Sequence, residues 1–171
     1  MSRIRLSASA ISAIRRHAAT AYPYECCGAL IGTTMREGND GLIEVADVRR
    51  LENVTAEGPR RRFLVSPTDY RQSEMHARRV GAELVGFYHS HPDHPAEPSQ
   101  YDLEHAWPNF SYVIIAVRGG EPADLRSWRL RPDRSAFDEE TQNEGTHGGN
   151  DGNEDPDSHA AASLHREEGR G

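Results

Sequence analysis

The run Phe110-Ser111-Tyr112-Val113-Ile114-Ile115-Ala116-Val117 carries no charge and shows no alternation of polar and apolar residues. A strand on the outside of a sheet keeps one polar face; this run has none, so it predicts a central strand covered on both sides. The rest of the chain must therefore supply cover for two faces. Ile11, Ile14 and Ala18 recur at helical spacing and predict a helix over 7–21, with Ser7 or Ser9 as N-cap and Pro23 as its end. Ser66-Pro67-Thr68-Asp69 is a helix start: a cap, a proline at the first position and an acid in the first turn. That helix runs to about Val80, and Ser99 opens a shorter one to about Trp107. Further strands are expected at 27–32, 42–54, 62–65, 84–90 and 125–130, with a turn at 34–40. Helices and strands mix without strict alternation, which points to an α+β or three-layer α/β/α domain.

Charge divides the chain of 171 residues in two. Its net charge is −7, and 138–171 holds ten acidic residues against Arg166 and Arg170, so 1–137 is close to neutral. With so few apolar residues to bury, 138–171 is expected to be a disordered acidic tail after a folded domain at 1–137. A near-neutral domain whose one basic cluster is Arg60-Arg61-Arg62 does not favour nucleic acid as a partner. No apolar run approaches the roughly 20 residues of a membrane span. The start, Met1-Ser2-Arg3-Ile4-Arg5-Leu6, lacks the apolar core and small-residue cleavage site of a secretion signal. The two cysteines, Cys26 and Cys27, are adjacent and poorly placed to pair, so a reducing, cytoplasmic setting is expected. All 20 basic residues are Arg; a chain without Lys offers no ε-amino group for isopeptide attachment.

The segment that carries chemistry is 89–102. His89 and His91 are two apart at the end of an expected strand, so both imidazoles leave the same face. Pro92 and Pro95 then turn the chain, and Asp102 falls in the first turn of the next helix. Two imidazoles and one carboxylate can hold Zn²⁺ and leave its fourth position open to water, the plan of a catalytic zinc site. Ser99-x-x-Asp102 also reads as a helix capping box with Asp in place of Glu. The two readings are compatible, because a capped helix start can orient a ligand.

His89-Ser90-His91, then seven residues, then Ser99 and Asp102 resembles the motif of the JAMM (MPN+) metalloproteases. Upstream, 22–32, from Tyr22-Pro23-Tyr24-Glu25 through Cys26-Cys27-Gly28, is similar to that family's compact prokaryotic segment, with Glu25 on its glutamate position. Asn53 and 62–67 resemble its middle region, and the likeness spans about 6–130. The resemblance implies a cytidine-deaminase-like three-layer α/β fold, a central mixed sheet flanked by helices. It implies one Zn²⁺ per chain held by His89, His91 and Asp102, with Glu25 as proton acceptor and donor and Ser99 as the group that steadies the developing oxyanion. It also implies a substrate: a ubiquitin-like or sulfur-carrier protein cut after its C-terminal Gly-Gly, with cysteine, a peptide or a lysine as leaving group. The short connection from Asp102 to Phe110 is similar to small members that act on sulfur carriers, such as the peptidases that release cysteine during cysteine synthesis. A non-catalytic MPN-type scaffold is the alternative from another class, and a DNA-repair-associated relative with a similar His-x-His-Pro loop is a second. An unpaired sheet edge would offer a route to a homodimer. His94 reads as a solvated loop residue, His17 and His76 as exposed helix positions, and Trp107, Trp128 and Tyr112 as core aromatics. His105, one turn after Asp102, is a candidate for packing or for supporting the metal site.

Overall fold

The computed structural model describes residues 2–37, 40–56, 58–60 and 62–142. Eleven elements follow one another: β1 (Arg3–Leu6), α1 (Ala8–Ala21), β2 (Cys27–Glu37), β3 (Asp40–Leu51), α2 (Pro67–Arg79), β4 (Glu83–Pro92), α3 (Gln100–His105), β5 (Ser111–Arg118), β6 (Glu121–Leu130), β7 (Phe137–Glu139) and β8 (Thr141–Gln142). The strands form one mixed sheet in the order β7-β6-β5-β4-β2-β3-β1-β8. β4 and β5 run parallel, so the chain must cross over between them, and it does so through α3. β5 is buried along almost its whole length, as its composition requires.

Helices cover both faces. Ser7 caps α1 by accepting the Ala10 N–H at 3.1 Å, and Ala10, Ile14 and Ala18 pack with Leu30, Val45, Tyr88, Val113 and Ile115. On the opposite face, Ala77 of α2 and Ala106 beside α3 pack with Cys27, Ile31, Phe87 and Tyr112. The three-layer α/β expectation therefore holds. Gly28 stands opposite Tyr88 in the β2–β4 pair, and a Cβ at position 28 would collide with the Tyr88 ring. Glycine there is what lets the large phenol lie flat in the core.

The observed elements differ from the expected ones in four places. β1 has only four residues, whose alternation of Arg with Ile and Leu is too short to be read alone; pairing with β3 makes it a strand. The turn expected at 34–40 is strand as far as Glu37, because β2 and β3 form a long hairpin. The strand expected at 62–65 is not one: Val65 is buried and Phe63 half-buried, which mimics strand alternation, but the backbone is held by Asn53, whose Oδ1 accepts the Leu64 N–H at 3.0 Å. Pairing also continues past 137, through β7 and β8.

Those last two strands are separated by Glu140 alone, yet they pair with β6 and β1 at opposite ends of the strand order. The sheet therefore curls until its ends meet across this ribbon. Glu140, 3% exposed, accepts from Ser2 Oγ at 2.6 Å and Ser127 Oγ at 2.8 Å and pins the closure. The ribbon occupies the outer edge of Trp128–Leu130 and of Arg3 and Ile4. The tail expected to be disordered lies, from 143 onward, outside the described residues.

Candidate metal centre

Alternate residues of β4 face opposite sides of the sheet, and His89 and His91 emerge together toward α3. Asp102 sits at the third position of α3, where a capping box aims it. The Ser99 Oγ accepts the Asp102 N–H at 3.1 Å, and the Asp102 Oδ2 accepts from both the Ser99 N–H and the Ser99 hydroxyl at 2.7 Å. The structural and functional readings of Ser99-x-x-Asp102 thus coincide: the cap fixes the direction of the carboxylate.

Donor atoms of three side chains converge. His89 Nε2 and His91 Nε2 are 3.1 Å apart. Asp102 Oδ1 is 3.4 Å from His89 Nε2, and Oδ2 is 3.5 Å from His91 Nε2. Two ligands bound at 2.0–2.1 Å to a tetrahedral Zn²⁺ lie about 3.3–3.4 Å apart, close to each of these separations. All three side chains are buried. His91 Nδ1 is 2.8 Å from the Pro95 carbonyl, which only accepts, so Nδ1 carries a proton and Nε2 is the nitrogen turned to His89 and Asp102. Among the described residues His89 Nδ1 is buried without a hydrogen-bond partner, and its ring is stacked on Phe63 at 4.1 Å. A buried imidazole with so little hydrogen bonding is costly unless Nε2 gains a strong partner. The residues fit a divalent cation.

Electrostatics agree with the donor set. Burial outweighs the pull of Asp102 on His89 and holds that ring below the usual histidine range, hence neutral. Burial alone would raise Asp102, but the neighbouring imidazoles of His89 and His91 and the hydrogen bonds from Ser99 outweigh it and hold the carboxyl well below the usual carboxylate range. Burial also opposes charge on His91, while hydrogen bonding to Asp102 and the negative charge of Glu25 raise it.

Glu25 reaches this site through strand pairing. Cys27 pairs with His89 in antiparallel register, so continuing the register two residues sets Glu25 opposite His91 and on the same face. The backbone of Glu25 is anchored by its N–H on Pro59 O at 2.8 Å and by Asn53 Nδ2 on its carbonyl at 3.2 Å. Glu25 is 6% exposed, and burial, assisted by Asp102, pushes its carboxyl up to about 8. Glu25, His91, Ser99 and Tyr101 share the wall of an open cleft of about 450 Å³ with the loop 94–98.

Other candidates fall away from the centre. His94 is exposed on the cleft rim. His105 stacks on Tyr101 and bonds the Tyr101 carbonyl at 2.9 Å, with no bond to the donor set. Burial pushes the thiols of Cys26 and Cys27 up to about 11 and about 12, which rules them out as ready nucleophiles. His17 is half-buried against Tyr88, not exposed, and Trp107 is a surface residue, 39% exposed, not core. Sequence reasoning missed Phe63, which fixes the His89 ring plane, and Pro95, whose carbonyl sets the His91 tautomer; neither role has a local pattern.

A family profile described as prokaryotic homologues of the JAB domain matches residues 7–131. A desampylase of Haloferax volcanii is 34% identical over 123 residues, which covers 69% of this chain and 84% of that protein. A tail tip assembly protein K of Escherichia phage N15 is 36% identical over 129 residues, 66% of this chain and 44% of that protein. A probable TtuB-protein conjugate cleaving protease of Thermus thermophilus is 35% identical over 79 residues, 46% of this chain and 53% of that protein. The chain thus spans about half the length of the last two. The profile match runs from before α1 to the end of β6 and contains Glu25, Asn53 and the whole of 89–102, the parts on which the resemblance to the JAMM proteases was read. The chain belongs to the prokaryotic homologues of the JAB domain.

Proposed function

We propose that this chain is a zinc-dependent peptidase that hydrolyses the peptide or isopeptide bond following the C-terminal Gly-Gly of a ubiquitin-like or sulfur-carrier protein. The observation that carries the reading is the buried group of His89, His91 and Asp102, whose Nε2 and carboxylate atoms lie 3.1–3.5 Å apart, with His91 lining a cleft that also holds Glu25. The names of the Haloferax and Thermus relatives support the substrate class.

A Zn²⁺ held by His89, His91 and Asp102 would supply Lewis acidity and a water of lowered pKa. The chain's own groups do the rest. The Pro95 carbonyl holds the His91 proton on Nδ1 and leaves Nε2 as a donor. The Ser99 N–H keeps Asp102 in place. Burial puts Glu25 in the range where a carboxyl both takes and returns a proton near neutral pH. It takes a proton from the attacking water and delivers it to the leaving amine. The Ser99 hydroxyl, now on Asp102 Oδ2, turns toward the carbonyl oxygen as that oxygen becomes negative. A Gly-Gly tail has no side chains to obstruct an open cleft, so the bond that follows it can approach the centre.

The test is cleavage of ubiquitin-like conjugates extended beyond Gly-Gly by cysteine, a peptide or a lysine linkage, by zinc-loaded protein. Wild type should cut at least one. Glu25→Gln should keep its zinc and lose about 10²–10⁴-fold in rate. Zinc-loaded wild type that cuts none of the three linkages sinks the reading.

A further inference from the structure

The loop 93–98 joins His91 to Ser99 and so connects both halves of the donor set. Most of its side chains are exposed; its buried one is Ala96, at 2%. Ala96 packs on Ile114 and Ala116 of β5, with Trp128 of β6 alongside. Ala116 is in register with His91 in the β4–β5 pair. The loop therefore folds back onto the sheet beside that ligand, and small side chains at 96 and 116 permit the close approach. At this contact the Trp128 indole N–H donates to the Ala96 carbonyl at 3.0 Å. The preceding carbonyl, of Pro95, receives His91 Nδ1–H at 2.8 Å. The Pro95 carbonyl lies in the 95–96 peptide plane and the Ala96 carbonyl in the next one, and the two planes meet at the buried Ala96, so docking the backbone there also limits where the Pro95 carbonyl can point.

The loop's first residue is held as well. The Asp93 N–H donates to Val117 O at 2.7 Å, and its carboxylate accepts from Gly119 N–H at 2.9 Å and the Tyr22 hydroxyl at 2.8 Å. Asp93 has φ 56, a left-handed conformation that a non-glycine residue keeps only with such support.

We propose that Trp128 is a positioning residue for the metal centre. Through the Ala96 carbonyl it docks the loop 93–98 so that Pro95 holds His91 as the Nδ1–H tautomer, with Nε2 turned to His89 and Asp102. Tyr22, through Asp93, secures the other end. The consequence for metal affinity rests on the zinc reading above; the consequence for the His91 tautomer does not. Arg126 lies over the Trp128 ring at 4.6 Å and bridges Glu97 and Glu139 at 2.8 Å each. Its ion pairs are solvent-exposed, so they add little to the docking.

Trp128→Phe removes the indole N–H and keeps an aromatic ring. Tyr22→Phe removes one hydroxyl. Both full-length variants and the wild type are compared by two measurements: the His91 ring tautomer by ¹⁵N NMR in metal-free protein, and zinc affinity by competition with a chromophoric chelator. In Trp128→Phe the tautomer should become mixed and zinc affinity should fall about tenfold, while the unfolding temperature of metal-free protein stays within a few degrees. Tyr22→Phe should shift both readouts in the same direction by a smaller amount. An unchanged tautomer with zinc affinity within about twofold of wild type, in folded Trp128→Phe, overturns the proposal. If that variant does not fold, Tyr22→Phe decides on the same readouts: a shift supports the clamp and no shift overturns it. A wild type that takes up no zinc overturns the metal reading instead, and the tautomer still judges Trp128.

Discussion

Neighbouring residues of β4 serve two faces with opposite uses for polar atoms. Toward α1 point Tyr88 and Ser90. The Tyr88 hydroxyl is 2.7 Å from His17 Nδ1, and Ser90 Oγ accepts the Cys26 N–H at 2.9 Å. Both polar side chains that β4 sends to that face are used up in holding the fold. Toward α3 point Phe87, His89 and His91. There His89 Nδ1 has no partner, and the two Nε2 atoms and a carboxylate face one another at close range. Buried polar atoms are normally satisfied within the protein; His89 Nδ1 and, on the other face, Ser111 Oγ are exceptions among the described residues, and of the two His89 belongs to a set of converging ligand atoms, which marks where an outside ligand belongs. One face builds stability and the other withholds it for chemistry.

The largest test of this division is His89→Ala. It should abolish zinc uptake and cut kcat/KM by about 10³-fold or more, while the metal-free protein still unfolds cooperatively. Elemental analysis beside steady-state kinetics reads both; zinc retained at one per chain would break the comparison on the α3 side. Next comes Tyr88→Ala on the other face. Removing this fully buried ring should cost about 3–5 kcal/mol in urea unfolding, with zinc per folded chain unchanged. Loss of zinc from the folded fraction would mean that the two faces are not separable.

Ser99→Ala sharpens the division because Ser99 belongs to both uses. Loss of the cap should cost about 1 kcal/mol of stability, and loss of one of its two bonds to Asp102 Oδ2 should weaken zinc binding about tenfold. A change in stability alone would reduce Ser99 to a helix cap. The smallest effect is a pH dependence. Burial, helped by the Arg50 charge, lowers His17 from 6.5 to about 4. The unfolded chain binds this proton first, so the contribution of His17 is complete above about pH 6.5 and is lost as pH falls from there toward 4. The stability difference between wild type and His17→Gln should shrink across that window, and an unchanged difference would deny the neutral His17–Tyr88 pair.

Elements governed by neighbours in the chain were legible in advance. The caps Ser7, Ser66 and Ser99 began α1, α2 and α3 where expected, since a cap is a bond between residues three apart. The apolar run around Ile114 became an interior strand, and the spacing of His89 and His91 put them on one face, because side chains of a strand alternate whatever the partner. Elements made by distant neighbours were not. β1 and β8 are too short to announce themselves and exist only because β3 and β1 offer backbone partners. The segment 62–65 has a strand's alternation but no ladder, because Asn53 takes its backbone instead.

The candidate site divides in the same way. Sequence by itself determined the donor types, the shared face of His89 and His91, and the cap that aims Asp102, all set within 14 consecutive residues, 89–102. Only the tertiary structure brought Glu25 opposite His91, through the antiparallel register of β2 on β4. It alone stacked Phe63 on His89 and docked Ala96 under Trp128. The physical reason is range: rotamer, cap and pleat are decided by covalent geometry over a few residues, whereas register and docking are decided by which distant surfaces bury each other.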